Sequence, residues 1–385
     1  MRFLFIIQGE GRGHMTQAMA LYDMLHDAGH EVCQAIIGSS SRRSVPSYVL
    51  KKFTCPVHLL ESPNFVTDKD HKSIRLGQTI WQNTKKLPTF LHSLKALDSL
   101  IIQSQPDVII NFYEFLAGIY HGLYRPKVKF ISIGHQYLAA HPSFPWAKGG
   151  RLQKQLFLLA NSITSWGANQ RIALSLRKLP ANQQPKTLTV WPPLLREQVL
   201  RSQPKSGEYL LTYIVNPGYM TDICQMATEY PDTRIEVFSD RSRVATPGSL
   251  PSNLHVHALD DQKFITYMAG CRGVVCTAGF ESISEAMFLG KPVMVVPVAG
   301  QYEQACNALD TELSGAGIYA STFALQPFID YLASREQVST EVFREWYAKQ
   351  PILFHQWLSE LQAATNPVTA QTALTSIATQ HTTQV

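Results

Sequence analysis

Short apolar runs alternate with helix-period stretches along most of this chain, and that alternation restricts its fold more than any other feature. In the first half the strand candidates are residues 3–7, 32–37, 57–60, 108–111 and 130–133. Helical patterns lie between them, among them 15–28 and a longer stretch within 74–104. The second half repeats the theme with strand candidates at 209–215, 234–238, 255–257, 273–276 and 293–296. Strands that alternate with helices imply a parallel, doubly wound sheet. The expected class is α/β, with two Rossmann-like doubly wound domains facing each other across a cleft. Ligands of such sheets bind at the carboxyl ends of the strands.

Between the halves lies Trp191-Pro192-Pro193-Leu194-Leu195-Arg196. Paired prolines continue neither a helix nor a central strand, so this segment reads as a linker or hinge. The expected layout is a first domain over 1–190, a linker over 191–204 and a second domain over 205–326. Residues 327–365 read as C-terminal helices with Trp346, Leu353, Trp357 and Leu361 as packing residues. The tail 366–385 is rich in Thr, Ala and Gln without periodicity and is expected to be disordered.

The chain of 385 residues is 45% hydrophobic and 16% charged, enough apolar material for two cores. No run of 18 apolar residues occurs, so no membrane-spanning helix is expected. The apolar opening is too short for a signal peptide and reads as a first buried strand. Cys33, Cys55, Cys224, Cys271, Cys276 and Cys306 form no metal-ligand spacing and read as reduced thiols, which favours the cytoplasm.

Charge is uneven. Residues 1–196 carry 23 Lys and Arg against 10 Asp and Glu, whereas 197–385 carry 11 against 19. The excess is dense at Arg42, Arg43, Lys51, Lys52, Lys69, Lys72, Arg75, Lys85 and Lys86. It fits either an anionic partner or an ordinary solvated face; a nucleic-acid partner is not expected. Trp81, Leu87, Phe90 and Leu91 beside Lys85 and Lys86 form an amphipathic stretch with two readings. It is either a core-facing helix or one that lies on an anionic membrane as a peripheral contact.

The chemistry concentrates at turns. Residues 276–308 read as strand, turn, helix, strand and polar loop. Gly279 permits a tight turn, so free N–H groups, a helix dipole and the Ser282 hydroxyl converge as an anion site suited to a pyrophosphate. Glu285 sits one turn deeper, and Glu303 and Gln304 follow on the next loop. A phosphate cradle followed by hydroxyl-binding groups suggests a nucleotide-sugar. Gly9-Glu10-Gly11-Arg12-Gly13-His14 follows the first strand and lacks the third glycine position of a dinucleotide loop. It sets His14 at a helix start facing the cleft, where an imidazole suits proton removal from a hydroxyl. Its alternative is a buried histidine bonded to backbone. A base histidine needs a partner that fixes its tautomer. Asn111 or Glu114 fits that place, or else Asn111 caps a helix and Glu114 lies on its solvated face. His135, after another strand, lines the acceptor side or packs the loop. Gly218 offers a backbone nest to the diphosphate or a plain turn.

Residues 9–17 together with 277–308 resemble the GT-B glycosyltransferases of families 1 and 28, the MurG-like and UDP-glycosyltransferase-like groups, and are closest to a bacterial branch. The resemblance implies that residues 1–190 bind the acceptor and 205–326 the donor. It implies that Ser282 contacts phosphate, that Glu285 binds ribose hydroxyls, and that Glu303 and Gln304 bind the donor sugar. It makes His14 the base, with Gly11 and Gly13 beside the acceptor. Two departures stand out. Thr277 replaces a phosphate-binding histidine, and Asn111 stands where the family carries the Asp partner of the base. Retaining relatives carry Glu-x7-Glu, and the position that matches the first Glu is Thr277, which favours inversion. No Asp-x-Asp motif occurs near the site, and Asp260-Asp261 are adjacent, so neither metal nor cofactor is expected. The expectation is an inverting hexosyltransferase that uses a UDP-sugar and a hydroxyl acceptor, lipid-linked acceptors included. The rivals are a nucleotide-sugar 2-epimerase on the same fold and a non-catalytic nucleotide-sugar-binding protein.

Overall fold

In a computed structural model, the structure describes residues 1–40, 45–63, 81, 83–214, 217–239, 250–334 and 340–365. The first seven strands are β1 (Arg2–Gln8), β2 (Glu31–Ser39), β3 (Val57–Glu61), β4 (Val108–Phe112), β5 (Lys129–Ile133), β6 (Gln170–Leu174) and β7 (Leu188–Trp191). They form one sheet in the order β3-β2-β1-β4-β5-β6-β7. The second sheet is β10-β9-β8-β11-β12-β13. Its strands are β8 (Leu210–Tyr213), β9 (Ile235–Phe238), β10 (Leu254–His257), β11 (Gly273–Cys276), β12 (Val293–Val295) and β13 (Gly317–Tyr319). Every paired neighbour is parallel. The doubly wound expectation is therefore met in both halves.

The sequence expectation omits β6, β7 and β13. β6 opens with Gln170-Arg171, β7 runs straight into Pro192, and β13 has three residues. None shows the apolar run that marks a central strand.

The helices are α1 (Arg12–Asp27), α2 (Ser47–Lys52), α3 (Leu87–Ser104), α4 (Phe115–Tyr124), α5 (Arg151–Thr164) and α6 (Glu197–Arg201). The second half adds α7 (Met220–Glu229), α8 (Asp261–Gly270), α9 (Phe280–Phe288), α10 (Tyr302–Leu313), α11 (Gln326–Ser334), α12 (Glu341–Tyr347) and α13 (Gln350–Thr365). Layers on both faces bury every residue from Phe3 to Ile7. Phe3, Phe5 and Ile7 enter one core cluster, and Leu4 and Ile6 enter another. A strand covered on both sides has no solvent face, hence its unbroken apolar run. In each sheet the strand order reverses beside its first strand, between β1 and β4 and between β8 and β11. Those crevices are where ligands of such sheets bind.

Residues 191–196 differ from a free linker. Trp191, Leu194, Leu195 and Arg196 are all buried. The C-terminal helices return to the first domain and pack there. The Trp357 ring meets Trp191 edge-on at 5.5 Å and lies 6.2 Å from Phe3. Its Nε1 donates to Gln170 Oε1 at 3.2 Å, and Trp346 Nε1 donates to the Ser175 carbonyl at 3.0 Å.

In the basic amphipathic stretch only Phe90 enters the core. Trp81, Leu87 and Leu91 are 60%, 54% and 51% exposed, which overturns the core-facing reading for those three. Lys85 Nζ sits 3.6 Å over the Trp81 ring, and Lys86 pairs with Glu61. Among the described residues no helix is long and apolar enough to cross a membrane. Arg42, Arg43, Lys69, Lys72, Arg75 and the expected tail 366–385 lie outside the described residues.

Candidate active site

The carboxyl ends of β1, β4 and β5 face those of β11 and β12 across a cavity of about 410 Å³. From the first domain, His14, Gly11, Gly13, Tyr113, His135 and Gln136 line it. From the second come Thr277, Gly279, Ser282, Glu285, Glu303 and Gln304. Ten of the expected site residues thus converge; Asn111, Glu114 and Gly218 do not.

His14 is the third residue of α1, whose N-cap Gly11 donates its N–H to Gln8 Oε1 at 2.9 Å. The imidazole is buried and stacks on Tyr113, with centroids 5.3 Å apart and planes 15° apart. Tyr113 has a φ of +60°, in the left-handed region that a bulky residue occupies at a cost of about 1–2 kcal/mol. Its phenol donates to Asn161 Oδ1, which holds the ring against the histidine. His14 Nε2 accepts from Gln136 Nε2 at 3.2 Å, and the same amide nitrogen lies 3.4 Å from Glu303 Oε1. A donor at Nε2 puts the ring proton on Nδ1 and engages the Nε2 lone pair with Gln136, a residue of the cavity lining. Nδ1 and Gln17 Oε1, one turn along the same helix, are both buried without a hydrogen bond. Burial, then the charge of His135, lowers the His14 pKa to about 4, against opposition from Glu303 and Gln17. The ring is therefore neutral near pH 7.

The expected supports of His14 serve the backbone instead. Asn111 is fully buried. Its Oδ1 accepts from Glu114 N at 2.8 Å, and its Nδ2 donates to the carbonyls of Glu114 at 3.1 Å and Thr164 at 2.6 Å. Glu114 is the N-cap of α4, accepts from Leu116 N at 3.1 Å and takes the Ser62 hydroxyl. Its carboxylate fills the space over Gly38, where a Cβ would come within 2.1 Å of Glu114 Oε2. Burial raises the Glu114 pKa to about 7. The capping role expected of Asn111 thus falls to Glu114, which is buried rather than solvated, and Asn111 instead ties the turn that precedes α4. Tyr113 and Gln136 take the places beside His14.

Across the cleft, Gly279 is the N-cap of α9. Its φ is −85°, so no left-handed conformation demands glycine. A Cβ there would touch only the Thr277 carbonyl at 3.9 Å. The fold thus tolerates a side chain, and its absence leaves open approach to the helix N-terminus. The first N–H groups of α9 lack partners within the helix, and the dipole favours an anion beside them. Thr277 and Ser282 add hydroxyls on the same lining.

Glu303 and His135, expected on the donor and acceptor sides, are joined across the domains at 3.0 Å. The His135 ring lies parallel to Phe280, 4.6 Å away at 1°. Burial alone would raise the Glu303 pKa, but His135 beside it holds it below the ordinary range. Gln304 Oε1 accepts from Val298 N at 2.9 Å. Gly218 lies in the short helical turn Pro217–Tyr219 and is not among the described residues that line the cavity. Residues 215–216 of that loop are outside the described residues.

Glu285 also departs from expectation, because its carboxylate is already forked. Arg196 Nε meets Oε1 at 2.7 Å and Nη2 meets Oε2 at 2.8 Å. Arg196 Nη1 also pairs with Asp261, while Asp260 caps α8 by accepting from Lys263 N at 2.8 Å. Glu281 is a further residue that sequence reasoning missed. Gln17 Nε2 donates to its Oε1 across the cleft, while Oε2 is buried without a partner. Burial, opposed by that Gln17 bond, raises the Glu281 pKa to about 8. Gly13 makes this closeness possible, since a Cβ there would meet Glu281 Cγ at 2.8 Å. Glu281 had a signal in its adjacency to Ser282; Arg196 had none beyond the end of a proline segment. Among the described residues no group of three or more His, Cys, Asp and Glu is arranged to hold a metal ion.

Residues 1–333 match the model of a family described as glycosyl transferase family 1. An uncharacterized glycosyltransferase of Methanosarcina acetivorans is 23% identical over 364 residues, covering 89% of this chain and 92% of that protein. Among solved structures, the glycotransferase of kitacinnamycin is 16% identical, with a TM-score of 0.64 over 94% of this chain and 98% of its own. The spinosyn rhamnosyltransferase SpnG complexed with thymidine diphosphate is 14% identical, with a TM-score of 0.57 over 93% and 100%.

Proposed function

The chain belongs to glycosyl transferase family 1 and has the GT-B fold; from that premise we propose that it moves a sugar from a nucleoside diphosphate sugar to a hydroxyl acceptor with inversion. The observation that carries this reading is the placement of a neutral, buried histidine opposite a bare helix N-terminus in one cavity. The acceptor hydroxyl takes the place of the Gln136 amide at His14 Nε2. As its oxygen bonds the anomeric carbon, its proton passes to His14 and the bond from that carbon to the diphosphate breaks. Attack from the face opposite the leaving group inverts the centre. The departing diphosphate meets the N–H groups of α9 and the hydroxyls of Thr277 and Ser282. These fixed dipoles need no reorganisation as charge develops, so the reading invokes neither metal nor cofactor. SpnG, which shares the fold, has been crystallised with thymidine diphosphate, which supports a nucleotide-linked donor.

The exposed Trp81, Leu87 and Leu91 beside Lys85 favour an anionic membrane surface and a lipid or lipid-linked acceptor. Sedimentation with anionic vesicles, reversed by salt, is the expected result; no binding at low salt removes the membrane from the reading.

A panel of UDP-, dTDP- and GDP-sugars in a thermal-shift assay identifies the donor, because a bound donor raises stability by mass action. With that donor, His14→Ala is expected to lower transfer by about 10²–10⁴-fold while nucleotide binding persists. Unchanged transfer refutes the base assignment. Donor turnover without an acceptor points instead to epimerisation, and binding without turnover to a sensor.

A further inference from the structure

The proposed reading places the diphosphate at the start of α9. Glu285 lies one turn beyond Ser282 on that helix, so the pentose of the nucleotide passes beside it. A carboxylate distinguishes a ribose from a 2′-deoxyribose by taking the 2′- and 3′-hydroxyls on its two oxygens. Here both oxygens face a guanidinium, with Nε and Nη2 of Arg196 aligned on Oε1 and Oε2 at 2.7 and 2.8 Å. Such fork-to-fork pairs are among the strongest and most directional that side chains form. Asp261 grips the third nitrogen, and Arg196 and Glu285 are 7% and 2% exposed in their side chains, so neither swings out freely. The backbone adds a further constraint, since Leu194 and Leu195 bury the segment that carries Arg196. On this side of the cavity Tyr213, Phe238, Leu259 and Phe264 supply apolar lining beside Asp260 and Asp261, a surface on which a base can rest.

We propose that Arg196 is a specificity-determining positioning residue: by occupying Glu285 it removes the diol clamp, so the donor site accepts 2′-deoxyribonucleoside diphosphates as readily as ribonucleoside diphosphates. This inference rests on the donor-site reading given under Proposed function and narrows it to the pentose. Its direct consequence is that a UDP-sugar has no intrinsic advantage over a deoxynucleotide donor.

Isothermal titration of the full chain with UDP and with 2′-deoxy-UDP tests it, because the two ligands differ by one hydroxyl. Dissociation constants within about threefold of each other are expected. UDP tighter by tenfold or more, about 1.4 kcal/mol, overturns the inference and leaves the donor site standing. Binding of neither overturns both. Arg196→Lys supplies the discriminating variant, since an ammonium cannot fork and frees one carboxylate oxygen. The variant, checked for folding by circular dichroism, is expected to gain at least a threefold preference for UDP. Equal weakening of both ligands assigns Arg196 a structural role only and refutes the specificity role.

Discussion

Replacing Glu281 with glutamine isolates the electrostatics of the closed cleft. Glu281 is held across the interface by Gln17 and has one oxygen, Oε2, buried without a partner. Burial lifts its pKa from the ordinary 4.5 to about 8. The sign follows from proton linkage. Between pH 4.5 and 8 the unfolded chain releases this proton while the native chain keeps it. Stability contributed by the neutral carboxyl is thus fully present below 4.5 and lost as pH rises toward 8. At about 1.4 kcal/mol per pH unit, the loss approaches roughly 5 kcal/mol above pH 8 and roughly 3 kcal/mol at pH 7. Gln is close in shape, keeps an acceptor for Gln17 and does not titrate. Glu281→Gln and the parent chain should therefore denature alike near pH 4.5 and diverge steadily above it, with the variant more stable. Urea midpoints at half-unit steps from pH 5 to 8.5, without nucleotide, give the comparison. A difference that stays flat with pH shows that Glu281 is ionised in the native state and refutes the buried neutral carboxyl.

Three further outcomes follow from the geometry. His14 is lowered to about 4 from 6.5, so its contribution to stability is complete above pH 6.5 and is lost as pH falls toward 4. Accordingly the acid limb of kcat/KM set by this imidazole should fall near pH 4, and a limb near 6.5 in a pH–rate profile refutes the shift. Asn111→Ala removes bonds to the buried Glu114 N–H and the Glu114 and Thr164 carbonyls. It should cost about 3–9 kcal/mol at about 1–3 kcal/mol for each of the three buried groups in denaturant titrations, with the His14 pH limb unmoved; a moved limb would restore Asn111 as its partner. Trp357→Ala should cost about 3–5 kcal/mol in the same assay, because its ring fills the space between Trp191 and Phe3.

The sequence alone determined the class of fold and the chemistry at its turns. A strand covered on both faces must be apolar throughout, so β1, β4 and β11 announced themselves in runs such as Phe3–Ile7. A glycine-rich turn between strand and helix fixes where N–H groups point, so His14, Gly279 and Ser282 were legible as site residues from local pattern. β6, β7 and β13 were not, because short strands that begin with polar residues or abut prolines carry no periodic signal. Pairing across the cleft was equally invisible. Gln17 with Glu281, and His135 with Glu303, are separated by 264 and 168 positions along the chain. Asn111 and Glu114 looked like partners for His14 because they end the neighbouring strand, yet buried backbone groups around them, with the Ser62 hydroxyl at Glu114, take their hydrogen bonds. Arg196 looked like linker until the fold brought its guanidinium onto Glu285. Local sequence sets which groups a turn presents, whereas burial and long-range contact decide which of those groups stay free for a ligand. Only the tertiary structure can settle that, because desolvation and hydrogen-bond competition depend on residues far away in the chain.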